Sequence, residues 1–492
     1  MTIAETTRTS FETVIGLEVH VQLKTRSKMF CGCERDYFEA EPNSHVCSIC
    51  LGMPGMLPVI NHQAVVFTIL AGLAIGSEIP EHCKFDRKNY PYPDLVKGYQ
   101  ISQYDQPLCV GGSLEIEADG VTRRVQIERI HLEEDTARLL HRDGAGAESY
   151  SLIDVNRSGV PLMELVSRPD MHSPAEAMAF LRTLRQTLRY IGVSDADMEK
   201  GSFRCDANVS LRPTGSTTLG NKVEVKNMNS FRAVGRALEF EIERQTRVLS
   251  EGGRVAQETR GYIDATGATV SQRSKEEAHD YRYFPEPDLP PLEVSRATVE
   301  ELRASLPELP AAKRDRLVRE YGLAREEATQ LVETRARAEA FEATVVLAGA
   351  ARAREVAHWF IGDVTRLLNS IGADAELEDS KLTPAHLAEL VRLVEERAVT
   401  VATAKEVLQA AFEGGEMPSA IVDARGLRQV SDEAEIDRVA GEVIEANPRA
   451  VEDFHGGKEA AVKFLVGQVM RAMRGRADPN GAGEALLRRL RS

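Results

Sequence analysis

No uninterrupted apolar run in this 492-residue chain approaches the ~20 residues that a membrane helix needs. The opening residues, MTIAETTRTS, lack a basic segment followed by an apolar one, so no secretory signal is read there. The expected location is therefore the cytoplasm, with no membrane association. There, seven cysteines point to metal ligands or free thiols rather than disulfides. A surplus of positive charge is also missing. The formal net charge is −15, which excludes a uniformly basic nucleic-acid binder. It leaves room for a local basic patch. Such a patch stands near the end, where Lys463, Arg471, Arg474, Arg476, Arg488, Arg489 and Arg491 face only Asp478 and Glu484. The same residues would also suit the solvated face of a terminal helix.

The content is otherwise that of a globular protein, with 42% hydrophobic and 28% charged residues. The length suits two to four domains. Val14–Leu23 alternates: Leu17, Val19, Val21 and Leu23 share one face, and Glu18, His20 and Gln22 the other. A carboxylate and an imidazole side by side on a strand are a starting point for a metal or acid/base site. The plainer alternative is a solvated strand face. Cys31 and Cys33, then Cys47 and Cys50, form C-x-C and C-x2-C pairs separated by thirteen residues. Four thiolates so paired can wrap tetrahedrally around Zn²⁺, and such a closed site is structural rather than catalytic.

Lys84–Pro107 interleaves Tyr90, Tyr92, Tyr99 and Tyr104 with Arg87, Lys88 and Lys97. Its prolines favour an extended loop, and the aromatic–cation mixture suits nucleotides. Val125–Asp135 reads as a strand running into Glu133 and Glu134, which alternation places on opposite faces. Glu164 lies among apolar neighbours in PLMELV, where a carboxylate needs a metal or an arginine partner. Ser173-Pro174-Ala175-Glu176 is a capping box that opens a helix ending near Gly192. Ser202–Pro213 places Arg204, Asp206 and Asn208 on one face, and Lys222–Phe231 turns Glu224 and Lys226 outward. Alternating strands argue for an antiparallel sheet with one polar face.

The segment 271–292 reads as an extended lid or edge. Beyond residue 295, glycine and β-branched residues thin out and helices are expected over 297–305, 311–321, 324–346, 350–371, 384–395, 401–412, 431–446 and 457–474. The fold class is therefore α+β: an antiparallel-sheet cradle over 1–295, a helical domain over 296–418 and a helical tail over 419–492.

GLEVHVQLKTRSKMFC, the cysteine pairs, DRKNYPYPDLVKGYQISQYDQP, RIHLEEDTAR, DVNRSGVPLMELVSRPD, GSFRCDANVS, EVKNMNSFRAV and DYRYFPEPDLPPL occur in this order. Together they resemble the B subunit of the bacterial tRNA-dependent amidotransferases, as does the tail. The resemblance implies that ATP and Mg²⁺ phosphorylate the side-chain carboxylate of misacylated Glu-tRNA(Gln) or Asp-tRNA(Asn). It implies two partners in a heterotrimer, an amidase (glutaminase) that supplies ammonia from glutamine and a small third protein. It places Mg²⁺ on His20, Glu133 or Glu134, and Glu164, with Glu18 as neighbour. It makes Lys88, Tyr90, Tyr92, Lys97 and Ser102 candidate ATP contacts, with Arg204, Asp206 and Asn208 as the opposite wall. The four cysteines imply structural zinc. A non-catalytic, zinc-stabilised tRNA-binding scaffold is the competing reading.

Overall fold

The computed structural model describes residues 10–142, 149–274, 281–429, 433–458, 460–473 and 477–491. Four sequence features fall partly outside them: Arg474 and Arg476 of the basic tail, residues 275–280 of the expected lid, residues 431 and 432 of the expected helix 431–446, and residues 459 and 474 of the expected helix 457–474. The chain divides into two compact units, Met1–Leu309 and Pro310–Ser492. No helix among the described residues is long and apolar enough to cross a membrane.

The first unit is built on a nine-stranded sheet. Its strands are β1 (Phe11–Gln22), β2 (Cys109–Val110), β3 (Ser113–Ala118), β4 (Val121–Glu134) and β5 (Pro161–Ser167). They continue with β6 (Phe203–Pro213), β7 (Val223–Met228), β8 (Glu258–Ile263) and β9 (Ala268–Ser274). The order across the sheet is β9-β8-β7-β6-β1-β5-β4-β2, with β3 also on β4. Every pair is antiparallel except β7–β8. The strand carrying Glu18 and His20, β1, is thus central, and β5 and β6 flank it.

Period-two alternation sends one face into the core. Leu17, Val19 and Val21 are fully buried, as are Leu165, Phe203, Ala207 and Val209. Against this face pack α1 (His62–Ala74), α2 (Pro174–Tyr190) and α3 (Phe231–Ser250). Half of the expected capping box is present at α2. Ser173 Oγ accepts from the Glu176 amide at 3.1 Å, but Glu176 returns to the amide of His172 at 2.7 Å rather than to Ser173. The segment after residue 280 forms an edge: Phe284–Pro285 pairs with Asp86–Arg87, and Leu292–Glu293 with His82–Cys83.

The second unit is helical. The expected helix 324–346 is two, Arg325–Leu331 and Arg335–Ala348. Thr334 breaks it, because its side chain accepts from the Arg337 amide and starts a new helix. Residues from Ile436 to Leu490 hold an apolar core of their own, with Leu465, Val469 and Leu486 at its centre.

One buried carboxylate fastens α3 to the far end of the sheet. Glu241 is fully buried, accepts from Arg244 at 2.9 Å, Gln245 at 3.2 Å and Thr269 Oγ1, and pairs with Arg260 at 3.0 Å. Burial pushes its pKa up, but these donors outweigh burial and hold it below the usual range. Removing one partner of a buried pair strands the other. Glu241→Ala should therefore cost about 3 kcal/mol or more, read as a lower urea midpoint, with Glu241→Gln intermediate. An unchanged midpoint would show that this network is dispensable.

Candidate functional site

Register brings together residues that are remote in sequence. His20 on β1 lies directly opposite Glu164 on β5 and Arg204 on β6. Glu164 in turn lies opposite His131 on β4. A single row therefore crosses four strands: His131, Glu164, His20, Arg204. Glu133 stands two residues from His131 on the same strand face, next to this row.

Two carboxylates meet here between two imidazoles. His20 Nε2 lies 3.4 Å from Glu164 Oε2 and 3.9 Å from Glu133 Oε1. His131 Nε2 lies 3.4 Å from Glu164 Oε2 and 3.8 Å from Glu133 Oε2. Glu133, Glu164 and His131 are buried, and His20 is partly open. Burial by itself would lower the pKa of both imidazoles. The Glu164 carboxylate, followed by Glu133, outweighs it at each, raising His20 and pushing His131 up to about 9. Burial would raise Glu164, but His131 and His20 hold it well below the usual carboxylate range. The recess thus keeps Glu164 ionised and demands positive charge.

The donors of His20, Glu133 and Glu164 lie within 4.8 Å of one another. Ligand atoms about 2.1 Å from one Mg²⁺ are about 3.0 Å apart at right angles and about 4.2 Å apart when opposite. The observed 3.4 and 3.9 Å separations from His20 lie above the right-angle value, so the three donors would have to draw closer to hold a metal ion, which their grouping allows.

This cluster opens into a cleft of about 330 Å³ lined by His20, Lys88, Tyr90, Glu133, Arg204 and Asp206, among others. Arg204 donates to Asp135 at 2.9 Å, and Lys226 to Asp206 at 2.6 Å. Ser102 Oγ donates to Glu133 Oε2 at 3.3 Å, holding that carboxylate from behind. Glu18 is one row along and accepts from Asn208 at 2.8 Å; neither joins the metal-ligand set.

Geometry separates Glu133 from Glu134. Glu133 faces His20, whereas Glu134 turns to the opposite face, pairs with Lys97 and accepts the Ile101 amide at 3.0 Å. Lys97 and Glu134 are therefore removed from the cleft and line a cavity beside Cys50 instead. Tyr92 is exposed and does not line the cleft. His131, Gln22 and Asp135 escaped the sequence-based selection of site residues. The signal was available for all three: Gln22 shares the strand face of Glu18 and His20, and His131 and Asp135 share the alternation of Glu133.

The four cysteines converge as expected. Cys50 Sγ lies 3.3 Å from Cys31, 3.6 Å from Cys47 and 3.7 Å from Cys33. Thiolates around a tetrahedral ion with Zn–S near 2.3 Å are about 3.8 Å apart. The cluster can therefore hold a metal ion. The wholly buried Lys28 points its ammonium at Cys50 Sγ, 3.6 Å away, and at the His45 carbonyl. The neighbouring Cys31 thiol, helped by Lys28, lowers Cys50 to about 4. A thiol poised as thiolate is ready to ligate.

Comparison with known proteins bears on the whole length. Residues 13–300 match the GatB/GatE catalytic domain family, and residues 339–490 match the GatB domain family. An aspartyl/glutamyl-tRNA(Asn/Gln) amidotransferase B subunit from Dehalococcoides mccartyi is 54% identical over 488 residues, covering 98% of this chain and 99% of the relative. Its counterpart from Thermomicrobium roseum is 55% identical over 469 residues, with 95% and 96% covered. The one from Geobacter sulfurreducens is 51% identical over 482 residues, with 98% and 100% covered. The chain belongs to the family of aspartyl/glutamyl-tRNA(Asn/Gln) amidotransferase B subunits.

Proposed function

We propose that the cleft around His20, Glu133 and Glu164 activates the side-chain carboxylate of a misacylated Glu-tRNA(Gln) or Asp-tRNA(Asn) with ATP, and then amidates it. The observation that carries this reading is the buried carboxylate pair at His20, with Glu164 held ionised and Glu133 lining a cleft that also presents Lys88 and Arg204. A scaffold for polyanionic RNA has no use for acids gathered in a concavity.

His20, Glu133 and Glu164 would hold Mg²⁺, which neutralises phosphate charge during phosphoryl transfer. Arg204 is fixed by Asp135 and keeps its planar fork toward the cleft, suited to carboxylate or phosphate oxygens. Lys88 adds a second cation from the Tyr90 side. An oxygen of the substrate carboxylate attacks the terminal phosphoryl group of ATP, and ADP leaves. Ammonia then attacks the acyl carbon, and phosphate departs as the amide forms. Strand-borne side chains suit this chemistry, which depends on positioning more than on covalent participation. Ammonia must arrive unprotonated, so it is supplied by channelling from the glutaminase partner, with the small third protein bracing the heterotrimer. The cytoplasm, where charged tRNA is found, is the proposed location. Zn²⁺ is the proposed ion of the four-cysteine cluster, where four ligands leave no position for catalysis.

In the complex reconstituted with the partner proteins, His20→Ala and Glu164→Gln should each lower tRNA-dependent amide formation by at least about a hundredfold. Glutamine hydrolysis by the partner should persist. Unchanged Gln-tRNA and Asn-tRNA formation in both variants would refute the assignment. For the cysteine cluster, elemental analysis should find one zinc per chain, lost in a Cys31→Ser/Cys33→Ser variant; a metal-free parent protein would dismiss the site. A chain ending at Gln429 removes the self-contained tail core with Arg488, Arg489 and Arg491. It should bind tRNA several-fold more weakly and with a shallower salt dependence, measured by filter binding. Equal affinity at all salt concentrations would exclude the tail as an RNA contact.

A further inference from the structure

A second cavity, of about 530 Å³, lies beside the cleft, and the mechanism above makes no use of it. Its lining includes Gln22, Arg35, Tyr37, Phe38, His45 and Lys200. The volume is in the range of small-ligand pockets, roughly 300–1,000 Å³. Most of its rim comes from the residues between Cys33 and Cys47, the loop that the four cysteines close. That loop is fastened elsewhere too. His45 N donates to Asn156 Oδ1 at 2.7 Å, Val155 N to Asn43 Oδ1 at 2.8 Å, and Asn156 Nδ2 to the Glu41 carbonyl at 2.7 Å.

On this fixed loop Phe38 is 51% exposed, with Lys200 Nζ 5.8 Å from the ring centroid. A held, half-exposed ring with a cation beside it is a stacking platform for a base. The rim also carries Glu34, Asp36 and Glu39. Carboxylates accept hydrogen bonds from an exocyclic amine or ribose hydroxyls, and Arg35 and Lys200 of the same lining can face a phosphate. The lining therefore suits the base and sugar of a nucleoside.

The cavity's position narrows the choice further. Gln22 forms part of its wall and donates from Nε2 both to Tyr37 Oη at 3.2 Å and to Asp135 Oδ2 at 2.8 Å. Asp135 lines the catalytic cleft and holds Arg204. A ligand seated in the cavity thus lies one hydrogen-bonded pair of side chains from the cleft. An aminoacyl ester needs this arrangement, with its nucleoside in one recess and its side-chain carboxylate in the next.

We propose that this loop-rimmed cavity receives the 3′-terminal adenosine of the misacylated tRNA, with Phe38 as its stacking platform. The proposal rests on the reading of the chain as acting on aminoacyl-tRNA. It also gives the cysteine cluster a role, which is to keep the rim in shape.

Calorimetric titration of the full chain with 3′-deoxy-3′-(glutamylamino)adenosine, and separately with MgATP, tests it. Phe38→Ala should weaken the aminoacyl-adenosine analogue about tenfold or more, Lys200→Glu several-fold, and Phe38→Tyr little. The Kd for MgATP should stay within about twofold in all three. Phe38 and Lys200 are exposed, so loss of fold is not expected, and an unchanged thermal midpoint checks it. An analogue affinity equal in Phe38→Ala and the parent overturns the proposal. So does no binding of the analogue by the parent, or a weakening confined to MgATP, which would assign the cavity to the nucleotide's own adenine. Binding is read here without turnover, so its failure is a different result from a failure of amide formation.

Discussion

Two carboxylates sharing one buried recess repel each other, and everything around Glu133 and Glu164 answers that repulsion. Two imidazoles flank them, Ser102 donates to one, and the cleft beyond supplies Arg204 and Lys88. Without compensation one carboxyl would take up a proton. With it, Glu164 stays ionised. The nine-stranded sheet serves as a jig for this arrangement. Its stiffness matters because a misplacement of about 1 Å can cost about a hundredfold in rate.

The sheet has a polar face and an apolar face, and each does one job. The apolar face packs on α1, α2 and α3. The polar face carries charge rows, from Glu18 and Asp206 through His20 and Glu164 to Glu133 and Asp135. The cysteine loop hangs from the end of β1 and is tied to residues 154–156, shortly before β5. The central strands thus feed both the cleft and the loop-rimmed cavity, with Gln22 and Asp135 between them.

Much of this was legible in the sequence for simple reasons. Period-two alternation is a local property, so the faces of β1 and β6 could be read directly, and Glu18 and His20 fell on the polar one. Cysteine spacing is also local. What could not be read is the order of strands. Alternation puts Glu133 and Glu134 on opposite faces but does not say which face meets His20; that follows from β5 lying between β1 and β4. Lys97 looked like a phosphate ligand by type, yet its partner is Glu134 on the far face. In the helical unit, the break at Thr334 was hidden because a single threonine inside a long helical pattern resembles many that leave the helix intact.

The row His131, Glu164, His20, Arg204 runs across the strands rather than along one, and it draws on residues as far apart in sequence as His20 and Arg204. No local piece of the polypeptide can assemble it. On a ribosome, β1, β4 and β5 would all emerge with Arg204 still unsynthesised, and the row would lack its last member. An unfinished or register-shifted chain would therefore leave the row incomplete.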